Sequence, residues 1–116
     1  LDAFKVIRSW GFNYKTVGFT WAKTNQKSLG FFTGMGYWTR SNPEMCLLAT
    51  RGKPKRLDKS IKQLVVSERR EHSRKPDEMY GYIEKMLEGP YIELFARTTR
   101  KGWDNFGNEV NKFDNI

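Results

Sequence analysis

The two residue types that supply most site chemistry are nearly missing from this 116-residue sequence, which holds one cysteine and one histidine. A lone cysteine excludes an internal disulfide. With a lone His72 it also excludes the clustered thiolate and imidazole ligands of a zinc site, so no metal is expected. Prolines number four, and none adjoins another. No stretch approaches the roughly 18 apolar residues of a membrane span, and no signal peptide pattern opens the chain, so no membrane partner is expected. No Gly-rich Walker loop and no G-x-S-x-G elbow is present, which removes P-loop and serine-hydrolase chemistry.

Aromatic residues (15%) and a hydrophobic content of 38% mark a globular chain, not a disordered one. Its length allows at most one domain, burying about 65% of the unfolded surface. Twenty-one Lys and Arg against 13 Asp and Glu leave a net charge of +8 and a pI near 9.7. That excess favours a polyanionic partner through counterion release, with nucleic acid the natural candidate. Cys46 lies in the apolar run Met45–Ala49 and reads as a core residue in a reducing, cytoplasmic setting. Leu1 stands directly inside an amphipathic pattern, which reads as a domain cut from something longer.

Leu1, Phe4, Ile7 and Trp10 recur near helical spacing, and Gly11 is placed to end a helix over 1–10 packed on a sheet. Tyr14–Lys23, rich in β-branched and aromatic residues, reads as a strand. A Gly-studded loop follows from Leu29 to Gly36, and Ser41–Glu44 reads as a turn. Met45–Thr50 has the continuous apolar character of a strand buried on both faces, and Leu64–Val66 is a second short strand. Pro76, Asp77 and Glu78 start a helix whose core stripe is Met79, Tyr82, Ile83, Met86 and Leu87, with Gly89 and Pro90 stopping it. Tyr91–Ala96 reads as the last strand. This order predicts an α/β sheet with several parallel strands, carrying too few elements to cover both faces.

Two places gather site chemistry. Pro76 pushes Lys75 into extended backbone, the geometry of an N-cap, and a lysine there aims its ammonium where a helix start already favours anions. Ile92-Glu93-Leu94-Phe95-Ala96-Arg97 ends a strand with an acid, and an acid at a strand's carboxyl end can accept ribose hydroxyls. Basic side chains cluster at Arg51–Lys62 and at Arg69–Lys75. From these, Lys53, Lys55, Arg56, Arg69, Arg70, His72 and Arg74 are the candidate nucleic-acid contacts.

Five segments stand in the order and spacing of a known family: Trp21-Ala22-Lys23-Thr24-Asn25, Gly36-Tyr37-Trp38 with Glu44-Met45-Cys46-Leu47-Leu48, Ser73–Glu78, Ile92–Arg97, and Trp103 with Gly107-Asn108-Glu109. Over essentially its whole length the chain resembles the carboxy-terminal half of the MT-A70 family of S-adenosylmethionine-dependent adenine methyltransferases. The resemblance implies a partial, incomplete Rossmann-like class I methyltransferase sheet with flanking helices. Residues 1–116 would be the carboxy-terminal portion of one methyltransferase domain, and S-adenosylmethionine the cofactor.

By the same resemblance, Glu93 and Leu94 lie against the ribose and adenine of that cofactor. Arg97 holds a ribose hydroxyl, Asn108 and Glu109 bond the ribose and adenine edge, and Lys75 reaches the methionine carboxylate. Residues 67–75 close over the target adenosine, 29–40 correspond to a segment used for partner contact and substrate binding, and a homo- or heterodimer partner is a further expectation. Glu109 stands where better-known members have glutamine, and Thr98-Thr99-Arg100 replaces a His-Asn pair, so no ligand contact is carried onto Thr98 or Arg100. The short, basic 51–75 region is closer to bacterial or phage members, which favours DNA over RNA as substrate. The family's D-P-P-W catalytic loop is absent from these residues, so no catalytic residue is expected here and the 116 residues alone are expected to be inactive. The alternative reading is a non-catalytic nucleic-acid-binding partner of the same fold.

Overall fold

The computed structural model describes residues 2–25, 30, 33, 38–39, 42–70 and 74–114. Seven elements follow one another: α1 (Asp2–Ser9), β1 (Asn13–Thr24), β2 (Pro43–Thr50), β3 (Leu64–Glu68), α2 (Glu78–Met86), β4 (Tyr91–Leu94) and β5 (Trp103–Phe106). They form a mixed α/β fold with two small sheets. The first has the order β2-β1-β3, and the second pairs β4 with β5. The β1–β3 and β4–β5 pairs are parallel, whereas β2 runs antiparallel to β1. Among the described residues no helix is long and apolar enough to cross a membrane.

β1 is central because its β-branched and aromatic residues suit a strand paired on both sides. Its register with β2 shifts between Tyr14 and Thr16 and again between Val17 and Phe19, across Gly18, where a Cβ would stand 3.3 Å from the Leu48 Cβ. Phe19, Trp21 and Val65 point to one face and are buried. Met79, Tyr82, Ile83 and Met86 of α2 pack on them, together with Ile61. The Phe19 and Tyr82 rings stack at 6.0 Å, and Trp21 Nε1 donates to the Ser67 carbonyl at 3.2 Å. Four of the five residues expected for the second helix's stripe therefore meet the core, and the fifth, Leu87, is the C-cap.

Several expectations need correction. β2 is not buried on both faces: it is an edge strand whose Met45 is 60% exposed, and Cys46 is exposed as well. Continuous hydrophobicity does not say which neighbour covers a strand, and here α2 lies over one sheet face only, leaving Leu64 and Val66 exposed on the other. Pro43 and Glu44 already belong to β2 and are not a turn. α1 carries no buried residue; Phe4 meets the Tyr14 ring edge-on at 5.0 Å, but Val6 and Trp10 stay exposed. β5, which alternation alone did not mark, pairs with β4 over Tyr91–Leu94. The Gly-rich stretch 29–40 falls largely outside the described residues, and so does His72.

The start of α2 also differs. Pro76 and Asp77 carbonyls accept from the Met79 and Tyr80 amides at 3.2 Å each, so the first turn is tight and Asp77, not Lys75, is the N-cap. The Asp77 side chain makes no cap bond and instead pairs with Arg70 at 2.8 Å. At the other end the Tyr91 hydroxyl donates to the Leu87 carbonyl at 2.5 Å, supplying one of the partners that helix ends lack.

Candidate functional site

The carboxyl end of β4, the start of α2 and the turn after β4 enclose a cavity of about 200 Å³. A larger space of about 470 Å³ adjoins it, and both are walled by Lys75, Tyr80, Glu93 and Leu94. The larger one continues along apolar side chains of the first sheet and α2, among them Phe19, Met79, Ile83 and Ile92. Exposed Cys46 lines it too. Desolvation raises its thiol above the ordinary value, which leaves a weakly reactive sulfur. The cleft thus opens at the carboxyl end of β4, a strand of the parallel β4–β5 pair, the usual ligand position in such folds.

Four residues assigned to the cofactor by the resemblance meet here, Lys75, Glu93, Leu94 and Arg97, and Arg74, assigned to nucleic acid, joins them. Lys75 is exposed, and its ammonium pairs with the Glu44 carboxylate, which also contacts Lys23 at 3.2 Å. Burial works to raise the Glu44 carboxyl, but the two lysines outweigh it and its pKa ends below the usual range. Glu93 Oε1 accepts from the Tyr80 hydroxyl at 2.9 Å. Phe95 follows in left-handed backbone (φ 59°) with its ring 86% exposed. That leaves an aromatic face at the mouth of the smaller cavity.

Phe113 forms the floor. It is buried, and the Arg74 and Arg97 guanidiniums lie over its ring at 4.1 and 4.9 Å. The Phe113 amide donates to the Arg97 carbonyl at 2.9 Å. Asp114 beside it accepts from the Thr99 amide at 2.7 Å and from the Thr98 and Thr99 hydroxyls at 2.8 and 2.9 Å. These bonds hold the Asp114 carboxyl below the ordinary range and fasten the Arg97–Thr99 turn. Arg74 is therefore placed in the wall of the cleft and not on the basic surface with the exposed Lys53, Lys55, Arg56 and Arg69.

Asn108 and Glu109 are not brought into these walls. They sit exposed on the turn after Gly107, where Glu109 pairs with Lys112 at 2.9 Å and is lowered by that bond. A Cβ at Gly107 would stand 2.8 Å from the Ala96 carbonyl oxygen, so only glycine lets this turn close on the end of β4. Arg100 lies behind the cleft. Its Nε and Nη2 bond Glu84 at 2.9 and 2.8 Å, and Trp103 Nε1 adds a third bond at 2.7 Å. Together they hold the Glu84 carboxyl at about 2. Among the described residues no group of acids, histidines and cysteines could hold a metal.

Sequence reasoning missed Tyr80, Glu44 and Phe113. Each contributes through a long-range contact, and no local spacing announces such a contact.

The MT-A70 family model matches residues 2–109. A Medicago truncatula protein, the putative N(6)-adenosine-methyltransferase MT-A70-like, is 40% identical over 109 residues, covering 90% of this chain and 17% of its own length. The type II methyltransferase M.MunI of Mycoplasma sp is 39% identical over 105 residues, covering 88% of this chain and 42% of its own. The human N(6)-adenosine-methyltransferase catalytic subunit METTL3 is 35% identical over 109 residues, covering 90% and 19%. The chain spans less than half the length of each of these relatives.

Proposed function

This chain belongs to the MT-A70 family, and from that premise we propose that it supplies the S-adenosylmethionine end of an enzyme that methylates the exocyclic amino group of adenine in nucleic acid. DNA is the favoured substrate, on the strength of the basic character of residues 51–75. The observation that carries the reading is the meeting of Lys75, Glu93, Leu94 and Arg97 around one cleft at a strand end.

The donor set fits such a cofactor. A carboxylate at a strand's carboxyl end accepts a ribose diol, an ammonium suits a carboxylate, and Leu94 with Phe95 offers an apolar edge to a purine. When bound, the cofactor supplies an electrophilic methyl group. The residues here contribute orientation and desolvation: Glu93 fixes the sugar, Lys75 the amino-acid end, and the Phe113 floor keeps the two guanidiniums in place. On DNA the target adenine must leave the stack to reach the methyl group. Arg69 and Arg70, just past β3, are proposed as basic contacts to that strand, Arg70 sharing its charge with Asp77 at 2.8 Å.

Calorimetric titration of the full-length protein with S-adenosylhomocysteine tests the reading. Binding by the wild type, weakened about tenfold or more by Glu93→Ala, is expected from losing a charge-assisted bond. No heat of binding, or an unchanged Kd in the variant, overturns the cofactor assignment.

A further inference from the structure

A strand-end carboxylate serves a ligand only if its rotamer is held, and three elements converge to hold Glu93. Tyr80 of α2 donates its hydroxyl proton to Glu93 Oε1 at 2.9 Å. Tyr80 is fixed in turn. Its ring meets Trp103 of β5 edge-on at 5.2 Å, and the Arg100 guanidinium lies over its face at 5.1 Å. Arg100 cannot swing away, because it makes its two bonds to Glu84 and its amide donates to Asn105 Oδ1 at 3.2 Å. Trp103 is locked likewise by its bond to Glu84 and by stacking on Tyr91 at 5.0 Å. Each group that touches Tyr80 is thus held by another bond or ring, the condition under which an orienting residue holds its partner well.

We propose that Tyr80 is the positioning residue of the cofactor site: its phenol fixes one oxygen of Glu93 and reserves the other for the ribose hydroxyls of the ligand. This rests on the assignment of Glu93 to the ribose. The role requires the phenol to stay protonated, and it does: desolvation first, then the bond to Glu93, push the Tyr80 pKa well above its usual value. The ring adds selectivity of a particular kind. Without the phenol, Glu93 would still be negative and still near the cleft, but free to turn toward solvent or the neighbouring cations. The loss should therefore fall on ribose recognition and spare the remainder of the ligand.

The test compares S-adenosylhomocysteine with its 2′,3′-dideoxyribose analogue on the full-length protein. Wild type is expected to prefer the ribose form. In Tyr80→Phe its Kd should rise on the order of tenfold, while the analogue's Kd stays put, so the preference collapses. Equal weakening of both ligands would mark Tyr80 as merely structural, and no weakening of either would remove it altogether. Both outcomes overturn the proposal. If Glu93→Gln leaves the ribose preference intact, the assignment of Glu93 falls and the role of Tyr80 falls with it.

Alkaline spectrophotometric titration decides the matter even where Tyr80→Phe does not fold. In Glu93→Gln one phenol should ionise at lower pH than in wild type, and an unchanged titration curve would overturn the contact.

Discussion

At Gly107 the backbone leaves no room for a side chain. A Cβ there would meet the carbonyl oxygen and amide nitrogen of Ala96 at 2.8 and 3.0 Å, and neither can retreat, since the Ala96 amide donates to the Phe106 carbonyl at 2.8 Å. Gly107→Ala is expected to cost about 1–3 kcal/mol, read as a lowered melting temperature. Phe113→Ala should cost more, about 3–5 kcal/mol by chemical denaturation, because it empties a buried site and releases both guanidiniums. A Phe113→Ala variant as stable as wild type would refute that placement. The two positions differ in how visible they are from sequence. Gly107 stands out as part of a recognisable tripeptide, whereas Phe113 sits in a polar tail and acquires its role only when the chain folds back on Arg97. Lys75, Glu93, Leu94 and Arg97 were legible for the first reason, and Tyr80 was hidden for the second.

Elements were legible where their own side chains decide them. The long β1 and the stripe of α2 carry enough apolar residues at one period to declare themselves. β5 does not. Trp-Asp-Asn-Phe has two polar residues between its aromatics and becomes a strand because β4 offers it a ladder. The burial of β2 failed for the complementary reason, since coverage depends on elements packed over it. Glu84 is one of the ties between α2 and the β4–β5 sheet, beside Tyr80 and Tyr91, and it gives a pH dependence with a definite sign. The Glu84 carboxyl is lowered from 4.5 to about 2, so its contribution is fully present above pH 4.5 and is lost as pH falls toward 2. Glu84→Gln should flatten stability across that acid window, as measured by melting temperature against pH. A profile parallel to wild type would show that the Arg100 pair contributes nothing there.

For the whole molecule, the fold sets the candidate nucleic-acid contacts outside the cleft in two fields. Lys53, Lys55 and Arg56 follow the end of β2, which lies beside the beginning of β1; Arg69 and Arg70 follow the end of β3, which lies beside the end of β1. A strand of that length separates the two fields by on the order of 35 Å, a span that a continuous polyanion can bridge. Replacing Lys53, Lys55 and Arg56 together by glutamine should weaken nucleic-acid binding and lower the salt slope by up to about one for each phosphate no longer neutralised. Affinity for S-adenosylhomocysteine should not change, and a matching loss there would disprove the separation of the two functions. The 116 residues by themselves, having no paired prolines, are expected to give no methyl transfer in a radiolabel assay.

The Glu44 carboxylate, shared between Lys75 and Lys23, gives the cleft a resident anion of its own. On the proposed reading, a ligand carboxylate arriving at Lys75 displaces Glu44, which keeps Lys23 as its partner. Binding at that end then adds one negative charge to a cluster of two lysines and one carboxylate, bringing it to neutrality. Raised ionic strength should weaken the carboxylate's hold on Lys75, but by far less than it weakens a polyanion spread over the two basic fields.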